Sequence, residues 1–485
     1  MRKLLLLVAL VALAVPVAAA AFANTEPDAA KEWYLEQDQA WSFWPTMPSL
    51  APIKVAIIDS GIDGSHPDLV GRVVAARSFV GGSPYHDEQG HGTFVAGEIA
   101  ANPSNGIGMA GLAFNARLIV AKVVAADGDV SLPAEVAAIR WAVDQGARVI
   151  NLSLGGVRDP LNSALDTYSP LERAAVEYAY KKGVVVVAAV GNGTQSPSTP
   201  WRYASYPSAL PHVIGVSAVR RDGSVPDYSN RDAVYVDVAA PGDDMFSTIP
   251  SNLVADDSGC VEPYSDCGPF ELRNAIGTSF AAPQVSAAAA LLLGTDPSLT
   301  PDQVGYLLER TADDSSTVSG CGACATGRDA LTGWGTLDVA NALARLTSGL
   351  PLPRPDRYEP NDDAGVWARS LPSSRRTVDA SLDYWDDNLD VYRVHLFAGQ
   401  RLFARLTPAQ AAKIKLQLWA PGTDHVDGLD LRSVRVADSR QVGRQVRLSF
   451  RVRARGVYYL SAKVVSHTPD PVQYHLALAL TRRSP

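Results

Sequence analysis

Three side chains in this sequence have the types and settings needed to cleave an acyl bond. Ser279 lies in Gly277-Thr278-Ser279-Phe280-Ala281-Ala282-Pro283, where turn residues give way to an alanine- and leucine-rich stretch reaching Gly294. A serine at a helix N-terminus has unpaired backbone N–H groups and the positive end of the helix dipole beside its hydroxyl, so an oxyanion formed there is stabilised. The hydroxyl is a poor nucleophile at neutral pH. It needs a base, and the base needs an orienting carboxylate. His91, in Gly90-His91-Gly92-Thr93, is the candidate base; its flanking glycines allow close backbone approach and it opens a small-residue helical stretch running to Ala101. Asp59 is the candidate carboxylate. It ends the apolar run Val55–Ile58, which reads as a parallel strand buried on both faces, and functional groups of open α/β sheets gather at such strand ends. Taken singly, the three have ordinary readings as a turn aspartate, a loop histidine and a helix cap.

Elements able to position them follow from the periodicity. Strands are expected at Val55–Ile58, Leu118–Lys122, Val149–Leu152, Val184–Ala189, Val213–Ala218 and Val234–Ala239. Helices are expected at Ala134–Gln145, Leu171–Lys182, Ser279–Leu293 and Pro301–Arg310. This alternation predicts an α/β fold, a parallel sheet with helices on both faces. Ahead of it, Trp33, Tyr34, Trp41 and Trp44 are spaced like a segment lying across a preformed surface. A proline-rich linker follows at 347–355, extended and semi-rigid. Beyond it, Val391–Leu396, Leu402–Leu406, Ile414–Trp419, Val446–Val452, Val457–Val465 and Tyr474–Leu480 read as strands of an all-β sandwich.

A chain of 485 residues has room for two or three domains. Charge is divided unevenly: residues 349–485 hold 21 Lys+Arg against 14 Asp+Glu, and the preceding part holds 22 against 37. An acidic body with a basic tail speaks against nucleic acid as the main partner. Arg2 and Lys3, the apolar stretch Leu4–Ala20 and Ala21-Phe22-Ala23 read as a secretory signal over residues 1–23. Export, no stable membrane insertion after signal removal, and a monomer secreted or held in a bacterial envelope are therefore expected. Of the four cysteines, the near pairs favour disulfides Cys260–Cys267 and Cys321–Cys324. Three connectivities remain open on sequence grounds, and a zinc site on all four is the competing reading.

The segments Asp59-Ser60-Gly61-Ile62-Asp63, His66-Pro67-Asp68-Leu69, His91-Gly92-Thr93, Asn151-Leu152-Ser153-Leu154-Gly155, Gly191-Asn192 and Gly277-Thr278-Ser279 together resemble the subtilisin-like serine proteases, across residues 30–345. The order Asp, His, Ser is that of subtilisin. The resemblance implies a three-layer subtilisin-like domain over 24–346 and a serine endopeptidase acting on polypeptides. Ser279 is the nucleophile, His91 the base, Asp59 the orienter and Asn192 the oxyanion donor. It implies substrate pairing along Ser153, Leu154 and Gly155, and a pocket bounded by Gly156 and Gly191. Ser205, standing where relatives have glycine, narrows that pocket toward apolar or medium-sized side chains. Phe94, Phe280 and Gln284 also depart from the commonest residues. A structural calcium is implied at Asp68 and Asn105 with the carbonyls of Ile107 and Met109, although the stretch 102–106 is one residue longer than in typical relatives. No room is expected between signal and enzyme for an inhibitory propeptide. The segments Asp356-Arg357-Tyr358-Glu359-Pro360-Asn361-Asp362, Asp390-Val391-Tyr392 and Ala398-Gly399-Gln400 resemble the bacterial pre-peptidase C-terminal domain, over 356–485. A catalytically idle exported binding scaffold is the alternative function, and an esterase or transpeptidase would use the same acyl-enzyme.

Overall fold

The computed structural model describes residues 21–481 except 257, 274, 372–376, 384–386, 427–432, 467 and 469–470. Residues 1–20 of the expected signal lie outside the described residues. The first part of the chain forms α1 (Trp33–Gln37), β1 (Ile53–Asp59), β2 (Val73–Ser78), α2 (His91–Ala100), β3 (Ala116–Lys122), α3 (Leu132–Asp144), β4 (Val149–Leu152) and α4 (Pro170–Lys181). It continues through β5 (Val185–Ala189), β6 (Val213–Val219), β7 (Val238–Pro241), α5 (Phe270–Arg273), α6 (Thr278–Thr295), α7 (Pro301–Arg310) and α8 (Val339–Thr347). The seven strands pair in parallel in the order β2-β3-β1-β4-β5-β6-β7.

Alternation along β1 explains the three layers. Val55 and Ile57 face a core shared with Phe94 and Ile99 of α2 and with the alanines and leucines of α6. Ala56 and Ile58 face the opposite core, with Ala138 and Ile139 of α3 and Ala175 and Val176 of α4. Successive side chains of a strand point to opposite faces, so a strand covered on both sides must be apolar throughout. Each fully buried Val, Leu or Ile contributes about 1.5–3 kcal/mol, which is why one charged residue within this run would break the sheet. Helix α6 is buried nearly all round, as an apolar helix without a polar stripe must be.

The aromatic residues near the N-terminus lie across the body, and three of them have a satisfied polar tip. Trp33 donates to the Asp244 carbonyl at 3.0 Å, Tyr34 to that of Phe246 at 2.8 Å and Trp41 to that of Leu112 at 3.0 Å. Residues 347–355 run along α7 and α8, where Arg345 donates to the carbonyls of Leu350 and Pro351 and Gln303 to that of Pro353.

The C-terminal part holds β8 (Arg369–Ser370), β9 (Thr377–Leu382), β10 (Leu389–Leu396), β11 (Arg401–Pro408) and β12 (Ile414–Trp419). It ends with β13 (Arg435–Asp438), β14 (Arg440–Val442), β15 (Gln445–Arg451), β16 (Gly456–Val464) and β17 (Val472–Leu480). Two five-stranded sheets, β13-β12-β16-β10-β8 and β14-β15-β11-β17-β9, bury their alternate residues in one common core. Tyr392 and Tyr474 meet across it, hydroxyl to hydroxyl, at 2.7 Å.

Two expectations need correction. The last parallel strand starts at Val238 and not at Val234, because Asp232 accepts hydrogen bonds from the N–H groups of Val234 and Tyr235 and holds them in a turn. Of the expected disulfides, Cys321–Cys324 is bonded, with a Cα–Cα separation of 5.4 Å, whereas Cys260 and Cys267 are free thiols. These two are hydrogen-bonded neighbours, and burial together with that contact pushes the Cys267 thiol up to about 11.

Candidate active site

The three candidate residues come from strand and helix ends on one edge of the sheet. Strands β1, β4 and β5 are adjacent, and the chain runs to opposite sides of the sheet from the β1–β4 junction, the place where a crevice opens in doubly wound folds. Asp59 closes β1 and is buried. Its Oδ1 accepts from Ser60 N at 2.7 Å and from His91 Nδ1 at 2.8 Å, which leaves Nε2 as the imidazole's basic nitrogen. His91 is the first residue of α2. Burial opposes its charge, but the charge and hydrogen bond of Asp59, with a further contribution from Asp87, raise its pKa above the ordinary 6.5.

Helix α2 begins on Gly90 at φ 76°, a conformation open to glycine, and glycine has no side chain with which to cap the helix. Asp87 supplies the cap. Its Oδ1 accepts from Gly90 N at 2.8 Å and Ser60 Oγ at 2.7 Å, and its Oδ2 from the N–H and hydroxyl of Thr93 at 2.8 and 2.7 Å. Ser60 Oγ in turn accepts from Gly92 N at 2.9 Å. One buried carboxylate thereby ties the histidine's helix to the strand end carrying Asp59. Sequence reasoning did not single out Asp87. The available signal was an acidic residue shortly before a helix whose first turn has no capping side chain.

Ser279 is the second residue of α6 and is half-buried. Pro283 has no N–H, so the Ser279 carbonyl lacks its helical donor. Ser153 Oγ, at the end of β4, donates to that carbonyl at 2.7 Å. Ser153 is itself set by Asn151, whose amide donates to it at 2.9 Å. The backbone of the candidate nucleophile is thus pinned to the candidate substrate-pairing strand. Ser279 Oγ makes no hydrogen bond among the described residues; contacts of this kind commonly tighten only on the substrate. The Phe280 ring lies 5.4 Å from that of His91 and 4.5 Å from that of Phe94, so the two phenylalanines that depart from family habit pack on each other. Gln284, the third departure, donates to the carbonyls of Pro241 and Phe280.

Asn192 follows β5. Its Oδ1 accepts from the N–H and hydroxyl of Thr278 at 3.0 and 3.2 Å, which fixes the amide with Nδ2 as the remaining donor. A Cβ on Gly277 would lie 3.4 Å from that Nδ2 and 3.7 Å from Ser279 N, so the two donors flank one position. The candidate pocket residues also converge. Gly156 and Tyr206 exchange backbone hydrogen bonds at 2.8 and 2.9 Å. A Cβ on Gly191 would meet Ser205 Oγ at 2.2 Å, and one on Gly155 would lie 3.6 Å from Ser205 Cβ. Ser205 therefore fills space between Gly155 and Gly191.

The residues expected to hold calcium come together around Asp68. Asp68 Oδ1 accepts from Asn105 Nδ2 at 2.7 Å, and its Oδ2 accepts from Met109 N at 3.1 Å and Tyr264 Oη at 2.7 Å. Asn105 Oδ1 faces Ile107 N at 3.2 Å. These four N–H and O–H groups meet three side-chain oxygens of the expected set, Asp68 Oδ1, Asp68 Oδ2 and Asn105 Oδ1. Tyr264 closes the loop over Asp68.

A carboxylate-oriented imidazole, a helix-terminal serine and a fixed amide at the carboxyl edge of a parallel sheet are the groups that a serine-nucleophile hydrolase requires. Residues 51–335 match the profile of the subtilase family. The chain is 39% identical to subtilisin DY of Bacillus licheniformis over 263 residues, covering 54% of this chain and 84% of that relative. It is 38% identical to subtilisin E of Bacillus subtilis, where the match covers 54% of this chain and 60% of the relative. Thermitase of Thermoactinomyces vulgaris is 35% identical over 284 residues, 58% of this chain and 87% of that relative. A solved protease structure from Pseudoalteromonas arctica superposes with a TM-score of 0.54 at 26% identity, covering 67% of this chain and all of the other. The chain belongs to the subtilase family of serine endopeptidases.

Proposed function

We propose that the chain is an exported endopeptidase that hydrolyses peptide bonds through an acyl-enzyme on Ser279. His91 Nε2 takes the hydroxyl proton as Oγ attacks the peptide carbonyl, and later gives it to the leaving amine. Asp59 holds the Nδ1–H tautomer and favours the imidazolium as it forms. The tetrahedral oxyanion lies between Ser279 N and Asn192 Nδ2, dipoles already aimed before charge develops. Water then repeats the sequence on the acyl-enzyme and releases the second product.

Substrate adds as an extended strand along Ser153, Leu154 and Gly155, with its leading side chain between Gly156 and Gly191. Ser205 limits that side chain to apolar or medium size. Residues 24–346 form the catalytic domain, 347–355 the linker, and 356–485 a sandwich of the pre-peptidase C-terminal type. The observation that carries this reading is the 2.8 Å Asp59–His91 hydrogen bond at the start of α2. The test is a peptide-library digest with the purified chain and its Ser279→Ala variant. Cleavage after apolar residues that vanishes in the variant supports the reading. Equal cleavage by both, or none by either folded chain, contradicts it.

A further inference from the structure

The two parts of the chain meet over a polar seam on the side of α4, away from Ser279. Arg173 pairs with Asp363 at 2.6 Å and the Lys181 ammonium sits 3.6 Å over the Trp367 ring. In the middle lie Glu177 of α4, His212 just before β6, and Asp362 of the C-terminal part. Their ligand atoms are all within 4.8 Å of one another. The imidazole ring is clamped against Tyr180, 3.6 Å away and nearly parallel, and the Tyr180 hydroxyl donates to Asp302 at 2.9 Å.

The hydrogen-bond accounting at this point does not close. His212 Nε2 lies 3.0 Å from Asp362 Oδ2, a hydrogen bond, and 3.8 Å from Glu177 Oε1, which is too far for one. Among the described residues neither Glu177 oxygen accepts a hydrogen bond, and its side chain is 1% exposed. A buried carboxylate without a donor is costly. One proton on Nε2 serves one carboxylate; a cation in its place reaches both. A tetrahedral centre with bonds of about 2.0–2.1 Å holds its ligands about 3.3–3.4 Å apart. The observed 3.0 and 3.8 Å straddle that spacing, and the two carboxylate oxygens lie within 4.8 Å of each other, so modest side-chain shifts bring the three onto one centre. A cavity of about 550 Å³ is lined by both His212 and Asp362, which leaves room for water as a fourth ligand.

We propose that Glu177, His212 and Asp362 bind a divalent transition-metal ion of the zinc class, which fastens the C-terminal sandwich to the sheet-and-helix body. One imidazole nitrogen with two carboxylate oxygens suits zinc better than calcium. The neighbouring groups Glu359–Asp362–Asp387 and Asp356–Glu359–Asp390 offer oxygen alone. The site stands apart from Ser279, so the proposal is independent of the reaction assigned above.

The test uses the full chain carrying Ser279→Ala, which prevents self-digestion. After chelator treatment and dialysis it is titrated calorimetrically with zinc chloride and, separately, with calcium chloride. Expected is one equivalent of zinc, with affinity reduced about a hundredfold or more by Glu177→Gln, His212→Ala or Asp362→Asn. Cobalt(II) in the parent should give the visible absorption of a four-coordinate centre, a readout independent of how the variants fold. The proposal is overturned if no stoichiometric zinc binds, if zinc binding survives His212→Ala and Glu177→Gln, or if calcium alone binds and is retained by His212→Ala.

Discussion

Removing Asp87 should damage the site without touching any of the three residues assigned to the chemistry. Its two oxygens hold four donors, of which the Ser60 and Thr93 hydroxyls can turn toward other acceptors, while the N–H groups of Gly90 and Thr93 cannot. Two buried backbone donors at about 1–3 kcal/mol each give an expected loss of about 2–6 kcal/mol for Asp87→Ala, against the ~5–15 kcal/mol margin of an ordinary domain. Asp87→Asn keeps the volume but offers one acceptor oxygen, so its loss should be smaller. Both substitutions also remove a negative charge that helps raise the His91 pKa. His91 must be neutral to act as base, so activity fails as pH falls through its pKa, and the acid limb should move to lower pH in both variants. Urea unfolding is measured in the Ser279→Ala background, and the pH dependence of kcat/KM in the active chains. An Asp87→Ala chain with parental midpoint and an unmoved acid limb would refute the role given to Asp87.

Further outcomes follow from the same geometry. Asn192→Ala should lower kcat about 10²–10³-fold with little change in KM, because the amide binds charge present only in the transition state; steady-state kinetics on one peptide decides it. Asp59→Asn should lower kcat about 10⁴-fold and bring the acid limb down, since the first charge holding the imidazolium is gone. Ser205→Gly should raise the kcat/KM ratio of a phenylalanyl over an alanyl substrate by about 10–100-fold, and an unchanged ratio would place specificity elsewhere. Tyr264→Phe should cost about 1.5–3 kcal/mol in urea unfolding, the value of a hydrogen bond to a charged group, because Asp68 loses one of its donors.

What could be read from the chain depended on how local the physical signal was. Strand β1 announced itself because burial on both faces demands an unbroken apolar run. Strand β2 did not, since it is an edge strand whose residues are exposed or half-buried. The short β13 and β14 were hidden for the same reason. Ser279, His91 and Asp59 stood out through their neighbours, glycine and apolar runs that few other functions require. Asn192 read only as a turn until the family likeness gave it a part. Asp87 looked like any acid in a polar loop, and its four donors are visible only once the strand end and helix start are brought together. Asp68 and Asn105 do come together, but the sequence could not say that Tyr264 would close over Asp68. Glu177, His212 and Asp362 are separated by 35 and 150 positions and share no motif; docking of the two parts alone assembles them.

Covalent modification of the serine tests the central claim most directly, because it requires nucleophile, base and orienter at once. The rate of fluorophosphonate labelling is followed from acid to neutral pH, with the modified residue located by mass spectrometry. Expected is a single adduct on Ser279, a rate that falls with one limb above pH 6.5, and a limb shifted to lower pH in Asp59→Asn. An adduct elsewhere, no adduct on the folded chain, or a limb that ignores the loss of Asp59 would contradict it.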